Sequence, residues 1–330
     1  MERRGRRIPP HGPDMIICRN LDELPGRISG AVVTVGNFDG VHLGHREIFR
    51  RVRLAAQEIG GSSVVVTFFP HPLKVLAPER EFRLITTYAE KERLIGESGI
   101  DYLVTIPFSR EFAAVSAERF VREILSGRIS MRRLIIGYDY AFGRNREGDV
   151  RLLRRLGEEL GFGVEMLDQI GDGETGFSSS AIRERITLGD MRGVAQLLGR
   201  HFSVGGVVVH GFHRGRGIGF PTANVQVEEE ILPLPGVYAV KVEGDGWVLD
   251  GACNVGDNPT FHASKVTVEA HILDFDGDLY GRRLRVHFID RIRDEREFPD
   301  VHALTEAIRH DVDRCREVLR DSALVTCHDE

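Results

Sequence analysis

The alternation of element types in the first half does most to limit what this chain can fold into. Up to about residue 168, five β-rich runs recur: AVVTV (31–35), SVVVTFF (63–69), DYLVTI (101–106), RLIIGY (133–138) and GVEML (163–167). Stretches suited to helices fall between them, at about 45–58, 87–98, 117–126 and 149–160. Their apolar residues recur three and four apart, as with Phe49, Val52 and Ala56. Strand and helix in alternation predict a doubly wound α/β fold with a parallel sheet. Such sheets bind ligands beyond the carboxyl ends of their strands. The unusual sequences fall there: GNFDGVHLGH after the first run, FPHPL after the second, GYDYAFGRNREG after the fourth.

From about residue 202 the pattern changes. VYAVKV, WVLDGACNV, KVTVEAHILDF and RRLRVHFI read as strands, with EGDG and DFDGDLYG supplying the turns. This spacing predicts an antiparallel barrel or sandwich, followed by an amphipathic helix over 300–320 with Leu304, Ile308, Val312, Cys315 and Leu319 on one stripe. The connecting FSSSAIRERITLGDMRGVAQLLGR (177–200) reads as helical after its serines. A length of 330 residues accommodates two domains. We expect them at 15–185 and 186–330, after a basic extension, 1–14, with no apolar periodicity.

Composition narrows the functional classes. A formal charge of −6 lacks the basic character of a duplex binder, which argues against nucleic acid as a partner. No apolar h-region follows the N-terminal arginines and no run of 18 apolar residues exists, so neither export nor a membrane is expected. Cys18, Cys253, Cys315 and Cys327 are scattered without a CxxC pair, which suits a reducing cytoplasm.

Two stretches carry chemistry. His42 and His45 stand at the start of the helix after the first strand, where free N–H groups and the helix dipole attract phosphate; glycines at 36, 40 and 44 allow close backbone approach. Two imidazoles at that corner suit nucleotidyl transfer, as donors to an α-phosphate under attack. Alone, HxxH could equally be a surface pair or part of a metal set, although no third ligand is suitably spaced. Ser178, Ser179 and Ser180 would open another helix, with Arg183 one turn further in, and could bind an anion or simply cap the helix. No GxGxxG follows the first strand, which argues against a nicotinamide or flavin Rossmann domain.

The second stretch is HGFHRGRGIGFPTANV, 210–225. Its glycines permit a phosphate-wrapping loop, Arg214 and Arg216 could add charge, and Thr222 and Asn224 offer neutral oxygens suited to Mg²⁺ and phosphate. A plain Gly-rich hairpin would read the same. Glu269, set between Val268 and Ala270, shares a strand face with Thr267 and His271. It is either a solvated outer residue or a general base at a barrel mouth.

In order along the chain, GNFDGVHLGH, TFFPHP, PFSREFAAVSAERFV, GYDYAFG, FSSSAIR, GRGIGFPTANV, PGVYAV, GACNVGDNPTF, VEAHILDFDGDLYG and RDEREF resemble the bacterial bifunctional riboflavin kinase and FMN adenylyltransferase (FAD synthetase) family, from Met15 to about Leu319. The resemblance implies a nucleotidyltransferase-like α/β domain that adenylylates FMN, then a six-stranded kinase barrel that phosphorylates riboflavin, both using ATP with Mg²⁺. It implies that His42, His45, Ser179, Ser180 and Arg183 hold ATP phosphates, with Gly36, Asn37, Phe38, Asp39, Gly40 and Asp139 completing that nucleotide site. In the barrel it implies Gly215, Arg216, Gly219, Pro221, Thr222 and Asn224 for nucleotide, Thr222 and Asn224 for the metal, and Glu269 as base. Tyr140, Phe177 and Cys253 replace the more usual Phe, Ile and Ala, and bear on flavin fit. Competing readings are a flavin-binding regulator without turnover and a nucleotidyltransferase for another phosphomonoester with an accessory flavin-binding barrel. The sequence leaves the oligomeric state open. Because the extension has no apolar periodicity, a chain starting at Met15 should keep the melting temperature of the full chain in a calorimetric comparison.

Overall fold

The computed structural model of the chain describes residues 15–26, 28–169, 176–211, 217–227, 229–258 and 265–325, in two compact units. The first comprises residues 15–83 and 88–178; the second comprises 84–87 and 179–325. Gly215 and Arg216, with Arg214, lie outside the described residues, as do the 1–14 extension and Cys327.

The first unit is built on six parallel strands: β1 (Ile16–Cys18), β2 (Ala31–Val35), β3 (Ser63–Phe69), β4 (Tyr102–Pro107), β5 (Met131–Gly137) and β6 (Gly163–Leu167). Their spatial order is β1-β4-β3-β2-β5-β6, so the chain winds outward in both directions from the β2/β3 centre. Every residue of β2 is buried, as expected of a central parallel strand covered on both faces. The connections carry α1 (Leu43–Glu58), α2 (Pro72–Leu76), α3 (Tyr88–Glu97), α4 (Arg110–Ala113), α5 (Ala117–Arg119) and α6 (Val150–Leu160). α1 buries Phe49, Val52, Ala55 and Ala56 on one face, and α6 buries Leu153 and Leu156. Asp149 starts α6 by accepting the Leu152 N–H, and Gly161, at φ 77°, ends it in a left-handed turn. The helix expected at 117–126 forms at 117–128, but after α5 it widens into a π-helical stretch, Phe120–Arg128, in which Ile129 N–H donates to Ile124 C=O.

The second unit begins with α7 (Ser179–Leu188) and α8 (Met191–Leu198), separated by Gly189 at φ 75°. Six antiparallel strands follow: β7 (Phe202–Val209), β8 (Ala223–Val227), β9 (Gly236–Gly244), β10 (Trp247–Asn258), β11 (Lys265–Ile272) and β12 (Arg283–Arg293). They close into a barrel in the order β10-β11-β8-β7-β12-β9, so the barrel alternative to a sandwich is the one realised. β7 alternates buried and half-buried residues along its whole length, the period of two that a barrel wall requires. Helix α9 (Val301–Arg320), capped by Asp300 accepting the Ala303 N–H at 2.8 Å, packs on the barrel through Ala307, Asp311, Cys315 and Leu319. The anticipated stripe is therefore split: Cys315 and Leu319 belong to the packed face, whereas Leu304, Ile308 and Val312 border a cavity.

Close backbone packing at the amino end of the first sheet depends on a glycine pair. A Cβ on Gly61 would lie 2.0 Å from Gly30 O, backbone that no rotamer change can clear. Gly61→Ala should destabilise the first unit by about 1–3 kcal/mol, the usual cost of overpacking, read as a shift in the urea midpoint.

Candidate active site

The corner after β2 is shaped by the end of its ladder. Gly36 N–H makes the last bond, to Val66 C=O at 3.0 Å, and the chain then turns through Phe38, Gly40 and Val41, all at positive φ (49°, 86° and 42°). Two bulky residues in the left-handed region need support. Phe38 obtains it by packing edge-on against Phe49 and His45, with centroids 4.9 and 5.1 Å apart. Asn37 is exposed at the rim, while Phe38, Asp39, Gly40 and Val41 are buried.

His42 caps α1. Its Nδ1 accepts the His45 N–H at 3.3 Å, which leaves Nε2 as the N–H donor of the neutral ring. The His42 and His45 rings stack with centroids 3.6 Å apart. A Cβ at Gly44 would fall 3.1 Å from the His42 ring and 3.3 Å from Phe177 Cβ, so the residue between the imidazoles has to be small. The structure thus gathers Gly36 to Gly40 with both histidines at one helix start. Asp139 is exposed in the turn after β5, the strand beside β2.

Ser179 is the first residue of α7, with Ser180 exposed beside it; Arg183 Nη1 donates to Ser179 C=O at 3.4 Å. These three belong to the second unit.

In the barrel, β11 places Glu269 between Asn224 of β8 and Asn254 of β10 in register. Val268, Ala270 and Ile272 point inward, which leaves Glu269 on the outer face with Thr267 and His271, as alternation requires. That outer face is only partly exposed around Glu269. It walls a cavity of about 320 Å³ shared with Thr222, Cys253, Phe298 and the α9 residues Leu304, Ile308 and Val312. A second cavity, of about 460 Å³, is lined by Pro221, Thr222, Asn224 and the 275–280 turn. Thr222 borders both. Gly211 makes room for the Asn224 amide, since a Cβ there would come within 2.4 Å of Nδ2. Gly219 is exposed, at φ 87°.

Burial pushes the Cys253 thiol far up, reinforced by nearby Glu269, so it stays a neutral, apolar part of the wall. Thr222 and Asn224 provide neutral oxygens on one cavity wall, a donor set that fits a hard cation carried largely by water and phosphate. Among the described residues no cluster of His, Cys, Asp and Glu makes an all-protein metal cage.

Two features of this site were not singled out from sequence. His271 Nδ1 donates to Pro221 C=O at 2.8 Å and its ring meets Phe220 edge-on, pinning the loop that carries Thr222. Arg293 grips Asp311 in bidentate fashion, at 2.9 and 2.7 Å, and lies over Phe298 beneath the cavity. Thr267, Glu269 and His271 were visible as an alternating strand face; Asp311 was hidden in a helix rich in charge.

Comparisons with known proteins find matches in both halves of the chain. A FAD synthetase family model matches residues 25–181, and a riboflavin kinase model matches 198–319. Bifunctional riboflavin kinase/FMN adenylyltransferases match across both halves: that of Escherichia coli K12 is 37% identical, covering 90% of this chain and 95% of that protein. The chain belongs to this family. The Pseudomonas fluorescens member is 38% identical over 94% of this chain and 99% of its own, and the Bacillus subtilis member 35% over 85% and 90%. A Streptococcus pneumoniae crystal structure described as a macrolide-efflux protein superposes with TM-score 0.83 at 32% identity, covering 94% of this chain and 99% of that one. Among the described residues, no helix of this family member is long and apolar enough to cross a membrane.

Removing one partner of the Arg293–Asp311 pair leaves a largely buried charge uncompensated, and such losses cost on the order of 3 kcal/mol. Asp311→Ala should therefore lower stability by about that amount in denaturant titration, and Asp311→Asn by less.

Proposed function

We infer that this chain performs both reactions of its family: it phosphorylates riboflavin with ATP to give FMN, then adenylylates FMN with a second ATP to give FAD and pyrophosphate. The observation that carries the reading is the pairing of Glu269 with Asn224 across β11 and β8, where two cavities share Thr222. Two substrates lying in adjoining cavities can meet at such a wall. Of the two, the 320 Å³ cavity, bordered by Phe298, Leu304, Ile308 and Val312, suits the flat apolar flavin. The other, bordered by Thr222 and Asn224, suits ATP.

In the kinase step the flavin 5′-oxygen forms a bond to the γ-phosphorus as the bond to the β,γ-bridging oxygen breaks, and ADP departs with that electron pair. Glu269 accepts the hydroxyl proton. Mg²⁺ bound with ATP beside Thr222 and Asn224 would neutralise charge on the transferring phosphates.

In the second step an FMN phosphate oxygen attacks the α-phosphorus and pyrophosphate leaves. His42, through Nε2–H, and His45 donate to the phosphate oxygens as charge shifts among them. Gly36 to Gly40 bring backbone to the nucleotide, and Asp139 contributes from the β5 turn. We assign Ser179, Ser180 and Arg183 to nucleotide phosphate as well, and Gly215, Arg216, Gly219 and Pro221 to the kinase nucleotide. The buried thiols of Cys18, Cys253 and Cys315 suit a reducing cytoplasm, and substrates, not nucleic acid or membrane, are its partners.

Purified protein given riboflavin, ATP and Mg²⁺ should yield FMN and then FAD on chromatography; conversion of a different phosphomonoester with riboflavin left intact would favour the nucleotidyltransferase alternative. His42→Ala and His45→Ala should each slow FAD formation by about 10²–10³ and let FMN accumulate. Glu269→Gln should lower kcat for FMN formation by about 10²–10⁴ while FAD formation from supplied FMN continues at its normal rate.

A further inference from the structure

Behind the β2–α1 corner lies a lysine that the mechanism above does not use. Lys91, on α3, is only 6% exposed. Its Nζ donates to Asn37 C=O and to Thr67 Oγ1, both at 3.2 Å, while Thr67 Oγ1 itself donates to Asn37 C=O at 3.3 Å. The ammonium also sits 5.2 Å from the centre of the Tyr88 ring. Tyr88 Oη accepts the His71 N–H at 2.7 Å, at the turn after β3. One buried cation thereby ties together the loops leaving the two central strands.

The groups around it are few. Asp39 faces it from the β2–α1 loop, Glu92 from its own helix, and His71 and Lys74 stand beyond Tyr88 on α2. Glu90, its other neighbour in sequence, is engaged by Arg93 at 2.6 Å. Among the described residues no carboxylate makes a direct hydrogen bond to Lys91; its partners are a carbonyl and a hydroxyl. A buried ammonium held only by neutral oxygens keeps much of its field for whatever binds nearby.

We propose that Lys91 is a positioning residue of the adenylyl-transfer site. It draws the Asn37 carbonyl inward, so that the Gly36–Gly40 backbone is set for the ATP polyphosphate, and its positive charge favours that polyanion. The inference rests on the assignment of His42 and His45 to the same step. Burial lowers the Lys91 ammonium to about 8, against the opposing pull of Asp39 and Glu92. The charge is present below that pH and lost above it. A bound polyphosphate favours the charged form, so ATP affinity must fall as pH rises through that range.

The test measures KM for ATP in FAD formation from supplied FMN, between pH 7 and 9.5, with riboflavin phosphorylation by the same chain as the control for ATP and Mg²⁺ speciation. In the wild type KM should turn upward near pH 8, by up to about tenfold per pH unit for one linked proton. Lys91→Met should raise KM roughly 10–100-fold at pH 7, the usual worth of a hydrogen bond from a charged donor, and flatten the profile. Lys91→Arg, which keeps its charge throughout, should recover part of the affinity without the inflexion. A Lys91→Met enzyme with wild-type KM and profile overturns the proposal, as does a flat wild-type profile, which needs no variant to fold. If His45→Ala leaves FAD formation intact, the site assignment itself fails; if His45→Ala stops it while Lys91→Met does nothing, only the role of Lys91 falls.

Discussion

The first unit depends on where the β2 ladder stops. Up to Gly36 the backbone is satisfied by β3 and β5; beyond it, the chain must find other partners or present its amides to a ligand. The loop meets that demand with three left-handed residues locked by Phe38 against Phe49, and with a histidine serving as helix cap. Central placement of the strand matters equally. A corner at the middle of a doubly wound sheet, where the winding reverses, is a natural crevice.

The barrel reaches the same end by a different route. Closing six strands leaves no free edge, so the side chains bordering the two cavities come from the barrel wall and from the loop entering β8. Covering that wall with α9 turns a polar outer face into a partly dry one. Glu269 is half-buried there, with the apolar side chains of α9 bordering the same cavity and Asn224 in register beside it.

Much of this architecture was legible from the chain. The strands at 31–35 and 63–69 form with the boundaries read from their β-branched runs, because buried parallel strands announce themselves as continuous apolar stretches, and the half-exposed edge strand at 163–167 also forms within its expected bounds. β1 was missed because it has three residues, and β7 and β8 because Gly205 and Gly206 and the glycine-rich sequence at 211–219 blur the alternation. The face of Glu269 followed from period two, but its covering did not, since it comes from a helix some thirty residues further on. Asp311 replaces an apolar residue on the packed face of α9, and only its distant partner Arg293 makes that reasonable. Lys91 was hidden most thoroughly. In AEKERL it reads as one charge in a solvated helix, yet Glu90 and Lys91 are both turned inward.

The two units also differ in how they end laterally. The barrel closes its ladder on itself, whereas the parallel sheet has two outer strands whose free N–H and C=O groups could template an unwanted pairing. One of these, β1, is three residues long, too short to nucleate a stable cross-strand stack. The other, β6, carries Glu165 in an ion pair with Arg51 at 2.6 Å, so an incoming strand would have to accommodate a charged pair midway along it. Brevity on one side and charge on the other protect the open sheet against self-association during folding, when the chain is most exposed to its own copies.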